Sequence, residues 1–251
     1  MTRRRFAPTF VPALALALAA SGGDAAAQTS AAREGFDPTS RYATRKVEGW
    51  TVLVNKGFQK DKPVLADQVL TLLKFQLFQV ERAVPSKALA KLRRVRIWVE
   101  EDDPNNPCMV YHPGNLDWMR EHNVNPDKSR CVEITNARRF LEWTHEQPWM
   151  VFHELSHAYH HQFLPGGYDN PDIKAAFDRM TSSKTYDSVL RINGRDDRAY
   201  ALMNPPEYFA ESCEAYFGTN DFYPYVRSEL QRHDPAMYEL LEQAWGVGKK
   251  N

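Results

Sequence analysis

The chain has no surplus of charge: its 251 residues carry 32 Lys and Arg against 32 Asp and Glu. A nucleic-acid binder needs basic side chains in excess to displace counterions from phosphates, so no nucleic-acid partner is expected. No apolar run reaches about 18 residues, which excludes a protein that threads a bilayer several times. Cysteine is scarce, with only Cys108, Cys131 and Cys213. Internal repeats and low-complexity tracts are missing beyond the N-terminus. What remains is 43% hydrophobic and 12% aromatic, which suits one core of ordinary domain size and argues against a disordered chain.

The first residues read as an address. Arg3, Arg4 and Arg5 precede an apolar run from Phe10 to Ala20, and small residues follow up to Ala27. That order is a basic region, a short hydrophobic region and a cleavage site, so residues 1–27 are expected to be a signal peptide. The run is too short to span a bilayer, so no stable membrane anchor should remain after cleavage. The Arg pair also fits a twin-arginine signal. Export to the periplasm or beyond follows, and the mature chain carries 29 basic and 31 acidic side chains. An odd cysteine count in an exported protein suggests either a Cys108–Cys131 disulfide with a buried Cys213, or three free thiols.

Residues 28–45 are small and polar and read as a disordered leader, so one domain is expected over 46–251. Strands are expected near 49–54, 95–99 and 131–135, with a helix from Pro63 to about Arg82 whose apolar face takes in Leu65, Val69, Leu73, Phe75 and Phe78. The stretch from Glu101 to Arg130 is dense in Pro, Asn and Asp and reads as a long ordered loop. Its Tyr111, His112 and Trp118 either line a cleft or anchor the loop by packing. A helix over 147–163 ends at Pro165-Gly166-Gly167, and further helices are expected over 172–182, 206–217, 224–232 and 235–245. Asn193-Gly194 between 186–192 and 198–203 is a hairpin signal. The fold class is α+β, with a small N-terminal mixed sheet, then an active-site helix and a mainly helical C-terminal half.

Chemistry concentrates in His153-Glu154-Leu155-Ser156-His157. Histidines at i and i+4 project from one face of a helix, the separation at which two imidazoles grip one Zn2+ ion. Glu154 lies beside the first of them, where a carboxylate can take a proton from an attacking water. The third ligand is not supplied by His160 or His161, which share the same helix and read as rim residues. A Gly at 160 and a His at 163 would mark one zinc-peptidase clan, but those positions hold His160 and Phe163. Downstream, Pro205-Pro206 opens a helix on which Glu207 and Glu211 share a face, with Glu214 close to it, so three carboxylates compete. An unpaired carboxylate among Phe209, Ala210, Ala215 and Phe217 would be costly, and a cation would offset that cost.

His153-Glu-x-x-His157, followed by Tyr200 and then Glu207-Tyr-Phe-Ala-Glu211, resembles the metallopeptidase domain of anthrax lethal factor and the bacterial secreted proteins grouped with it. The resemblance covers about residues 150–217 and implies a zincin-like fold. It implies Glu207 as the third zinc ligand, Glu211 as its companion behind a ligand histidine, and Tyr200 as the hydroxyl that meets the oxyanion. The implied activity is zinc-dependent hydrolysis of peptide bonds in a peptide or protein substrate, with Glu154 as general base. In that architecture the strand over 131–135 would be the sheet edge that pairs with substrate. Two other classes fit the same residues: a zinc amidase acting on cell-wall peptides, and a catalytically silent zinc-folded binding protein.

Overall fold

The computed structural model describes residues 35–103 and 105–247. The expected signal peptide and residues 28–34 of the leader lie outside them. The leader's remaining residues are ordered: a single 3-10 turn at Thr39–Arg41 leads into β1 (Tyr42–Val47). β1 pairs antiparallel with β2 (Trp50–Asn55), Val47 opposite Trp50. The two-residue turn between them holds both Glu48 and Gly49 at positive φ, 46° and 88°, the backbone twist a tight hairpin prefers. A disordered segment up to residue 45 is therefore corrected. β1 escaped sequence reading because Thr44, Arg45 and Lys46 are exposed, as suits a sheet edge that must not recruit another strand.

Three helices then cross over to β3: α1 (Lys56–Asp61), α2 (Pro63–Ala83) and α3 (Ser86–Leu92). β3 (Ile97–Val99) runs parallel to β2. On α2 the buried face is Leu65, Val69, Leu73, Leu77 and Val80, while Phe75 and Phe78 are exposed, so the apolar face is narrower than the sequence suggests. The stretch expected as a plain loop contains β4 (Met109–Tyr111) and α4 (Leu116–Glu121). β5 (Val132–Ile134) follows, and the sheet order is β1-β2-β3-β5-β4. β5 is parallel to β3 and antiparallel to β4, so β4 is the edge opposite β1, and the expectation that 131–135 forms the edge is corrected.

The remainder is mostly helical: α5 (Ala137–Trp143), α6 (Met150–Phe163), α7 (Pro171–Ser183), then after a short hairpin α8 (Pro205–Phe217), α9 (Arg227–His233) and α10 (Pro235–Trp245). The class is α+β. The hairpin is shorter than expected, with β6 (Val189–Leu190) against β7 (Asp196–Asp197) around Asn193-Gly194. Its expected second arm is instead a 3-10 turn at Tyr200–Leu202 that buries Ala201 and Leu202. Ile97, Val99, Val132 and Ile134 on the sheet, Phe152 and Leu155 on α6 and Phe209 on α8 belong to one continuous core. A buried glutamine on α2, Gln76, accepts a hydrogen bond from the Val151 amide at 3.2 Å and so caps the start of α6. Among the described residues no helix is long and apolar enough to cross a membrane.

All three cysteines are buried free thiols. With Met109 opposite Ile134 and Tyr111 opposite Val132, Cys108 and Cys131 stand at opposite ends of the β4–β5 pair. Their separation along the strands is about 13 Å, more than twice what a disulfide spans. The bridge considered from sequence is replaced by the alternative of three thiols.

Candidate metal and active site

α6 forms the floor of the site. Its apolar side, including Val151, Phe152, Leu155, Ala158 and Tyr159, is buried, which turns His153 and His157 toward α8. The start of α8 is fixed locally: Asn204 accepts a hydrogen bond from the Glu207 amide at 2.9 Å, and Pro205 takes the first helical position. Glu207 Oε2 then lies 3.0 Å from His153 Nε2 and 3.2 Å from His157 Nε2, and the two ring nitrogens are 3.0 Å apart. Three donor atoms from two helices thus meet at one point.

The other nitrogen of His153 faces deeper into α8. Glu214 Oε1 is 2.6 Å from Nδ1, whereas Glu211 Oε1 is 3.8 Å away. The carboxylate that meets His153 Nδ1 is therefore Glu214 and not the expected Glu211; it lies seven residues after Glu207 and so two turns along the same face. Burial would by itself lower the His153 imidazole, but Glu207 and Glu214 outweigh it and hold it well above the ordinary histidine range. Glu207 also resists its own burial, because His153 and His157 hold its carboxyl well below the usual range. Glu211 behaves in the opposite way: burial, with Asp221 and Glu214 nearby, pushes its carboxyl up. Asp221 is itself bound by Arg191 at 3.1 Å.

Glu154 faces the sheet. Its Oε2 accepts a hydrogen bond from the Tyr111 amide at 2.7 Å. In the β4–β5 ladder the amide of His112 donates to Cys131 and the carbonyl of Cys108 accepts from Thr135. Alternation along an antiparallel pair therefore directs the backbone groups of Met109 and Tyr111 outward, over the site. A cleft of about 530 Å³ runs there, walled by β4, floored by α6 and closed by Tyr200, Asn204 and α8. Its lining holds Glu154, Glu207, Glu211 and Glu214 and neither lysine nor arginine. Tyr200 comes from the 3-10 turn packed on α8. Partial burial and the neighbouring Glu207 push its phenol up to about 12, so it stands as a hydroxyl donor at neutral pH.

Other sequence-singled residues sort differently. Tyr111 lines the cleft, and its hydroxyl is 2.8 Å from His161 Nδ1. His112 is buried behind the sheet, 2.6 Å from Glu133, and Trp118 stacks on His122 away from the cleft. His160 is no rim residue: it is fully buried against Phe209 and Tyr168, and burial lowers its imidazole to about 3. Tyr168, whose side chain enters the cleft just after α6, carries no signal in the sequence, because Pro165-Gly166-Gly167 marks only a helix stop and a turn. Compared with known proteins, the chain matches no family model, no curated protein and no solved structure.

Proposed function

We propose that this protein is an exported zinc-dependent metallopeptidase, cutting peptide bonds of an extended peptide or protein segment laid along β4. The observation that carries this reading is the convergence of His153 Nε2, His157 Nε2 and Glu207 Oε2 within 3.0–3.2 Å, with Glu154 beside them in an open cleft. The donor set suits zinc: two imidazoles and one carboxylate, with spacings close to the ~3.4 Å between ligands of a tetrahedral ion bound at about 2.1 Å. His153, His157 and Glu207 would hold the ion. Zinc at such a site supplies a Lewis acid that brings the pKa of water down toward 7 and polarises a carbonyl.

The chain's own groups divide the remaining work. Glu154 takes the proton of the attacking water and returns it to the leaving amine, with its carboxylate aimed by the Tyr111 amide. Tyr200 donates its hydroxyl to the developing oxyanion, a contribution of about 3 kcal/mol where single donors have been removed elsewhere. Glu214 accepts the Nδ1 proton of His153 and fixes the tautomer that turns Nε2 to the metal. With the Tyr111 amide committed to Glu154, the outward amide and carbonyl of Met109 and the carbonyl of Tyr111 offer a strand-like partner to substrate. Export rests on the expected signal at 1–27.

The test is elemental analysis of the mature chain together with cleavage of a mixture-based peptide library. About one zinc per chain, cleavage stopped by a chelator and restored by zinc, is the expected result. A chain that takes up no zinc, or that takes it up and cuts no peptide, would overturn the reading. Glu214→Ala should weaken zinc binding about 10- to 100-fold in competition with a chromogenic chelator, and Glu211→Ala should weaken it far less. Equal losses in the two variants would contradict the orienting role given to Glu214.

A further inference from the structure

Tyr168 is presented to the cleft by a rigid turn, yet among the described residues no hydrogen bond uses its hydroxyl. The turn at residues 167–169 is fixed on both sides. Gly166 and Gly167 sit at φ 77° and 55°, and a Cβ on Gly167 would lie 2.7 Å from the His161 carbonyl oxygen, so this close approach admits only glycine. Asn170 donates to the Pro165 carbonyl at 2.9 Å and accepts from the amides of Asp172 and Ile173 at 3.1 and 3.0 Å. The ring of Tyr168 is held as firmly, with centroids 5.1 Å from His160 and 4.8 Å from His161.

The phenol end is different. Tyr111, Tyr159, Tyr208 and Tyr216 all place their hydroxyls in hydrogen bonds. The Tyr168 hydroxyl has no such partner among the described residues, although the side chain lines the cleft with Tyr111, Pro113 and His157. Burial, then the charges of Tyr111, Glu154 and Glu207, pushes this phenol up, so it is a neutral donor lying in the field of both carboxylates. Holding a phenol this firmly beside a reactive centre, with its polar end unused, suits a group whose partner arrives with the ligand.

We propose that Tyr168 is a substrate-binding residue that donates its hydroxyl to a backbone carbonyl of the bound peptide, one subsite away from the bond being cut. This rests on the peptidase reading above. The offset follows from placement: Tyr168 packs on His160 and His161, nearly two turns of α6 beyond Glu154, or about 9–10 Å along the helix. A contact made there is as strong in the ground state as in the transition state, so its loss should appear in KM. Tyr200, beside Glu207, should instead act on kcat.

The experiment uses the zinc-loaded mature protein and one quenched fluorescent peptide taken from those the library shows to be cut. Tyr168→Phe keeps the ring and its stacking, so zinc content and Tm should match the parent. KM should rise about 2- to 12-fold, the worth of one hydrogen bond, with kcat within twofold, and the Ki of a phosphinic analogue of the same peptide should rise in parallel. Tyr200→Phe should lower kcat in the same assay. An unchanged KM and Ki in Tyr168→Phe, beside an active parent, would overturn the role of Tyr168 and leave the peptidase reading standing. A loss confined to kcat, or a fall in zinc content, would equally overturn it. A parent that cuts no peptide would sink both.

Discussion

Replacing Glu154 by Gln is expected to lower kcat/KM by about two to four orders of magnitude while leaving zinc content and thermal stability at parental values. The two side chains have one shape, and the Gln carbonyl can still accept the Tyr111 amide that Glu154 Oε2 accepts at 2.7 Å. No cation pairs with Glu154 among the described residues, so neutralising it strands no partner charge. What the amide cannot do is take up a proton and give it back. Zinc by elemental analysis, Tm, and hydrolysis of a library-derived peptide measured on one preparation separate these effects. A Glu154→Gln protein that turns over like its parent would remove Glu154 from the reaction, and a zinc-free one would show that the carboxylate acts through the metal site.

The site could be read from sequence to the extent that it is helical. His153, Glu154 and His157 lie on a helix whose burial period is unmistakable, and Pro205-Pro206 marks the start of the helix that carries Glu207. The end of α10 at Trp245 and the span of α7 fall within a residue of expectation for the same reason, since helix caps and breakers are local chemistry. The choice between Glu211 and Glu214 was not local. Both lie within reach of the face that Glu207 occupies, and only the depth at which α8 crosses α6 decides which carboxylate meets His153 Nδ1.

The sheet was harder. β4 is three residues long, Met109–Tyr111, set among Pro107, Pro113 and Gly114, too short for alternation to register. Without β4, β5 reads as the sheet edge and the link between Tyr111 and Glu154 leaves no trace in the sequence. Glu133 shows the same limit. A glutamate in a short apolar strand gives no hint that it is wholly buried, because its partners Lys128 and His112 come from a loop that carries no periodic signal.

That buried group sets up the second large effect: Lys128→Met should destabilise the protein by about 3–5 kcal/mol, a fall in Tm of about 6–20 °C for a domain of this size. Lys128 Nζ lies 2.7 Å from Glu100 Oε1 and 2.5 Å from Glu133 Oε1, behind the sheet and over the rings of Tyr42 and Trp98. Met replaces the aliphatic stem but leaves two carboxylates facing each other out of water. In the parent, burial would lower the Lys128 pKa, yet Glu133 and Glu100 hold it above the usual lysine range, so its contribution is lost only as pH rises past about 10.5. Glu133 is held below the usual range, its burial outweighed by His112 and Lys128, so its contribution is present above about pH 4.3 and fades in acid. Without the lysine, Glu100, which burial already pushes up in the parent, is pushed up further, while Glu133 keeps only His112 to offset its burial. The deficit then grows as pH climbs past about 4.3, and thermal melts should show a larger loss at pH 8 than at pH 5. Adding Glu133→Gln to Lys128→Met removes one stranded charge and should recover part of the loss. A single variant melting within about 2 °C of the parent at both pH values, far less than a stranded charge pair costs a domain of this size, would mean that water screens the cluster. Glu133 stands opposite Val110 and holds His112, the residue after Tyr111. The cluster therefore braces from behind the strand whose front edge aims Glu154, which ties the stability of this polar core to the geometry of the site.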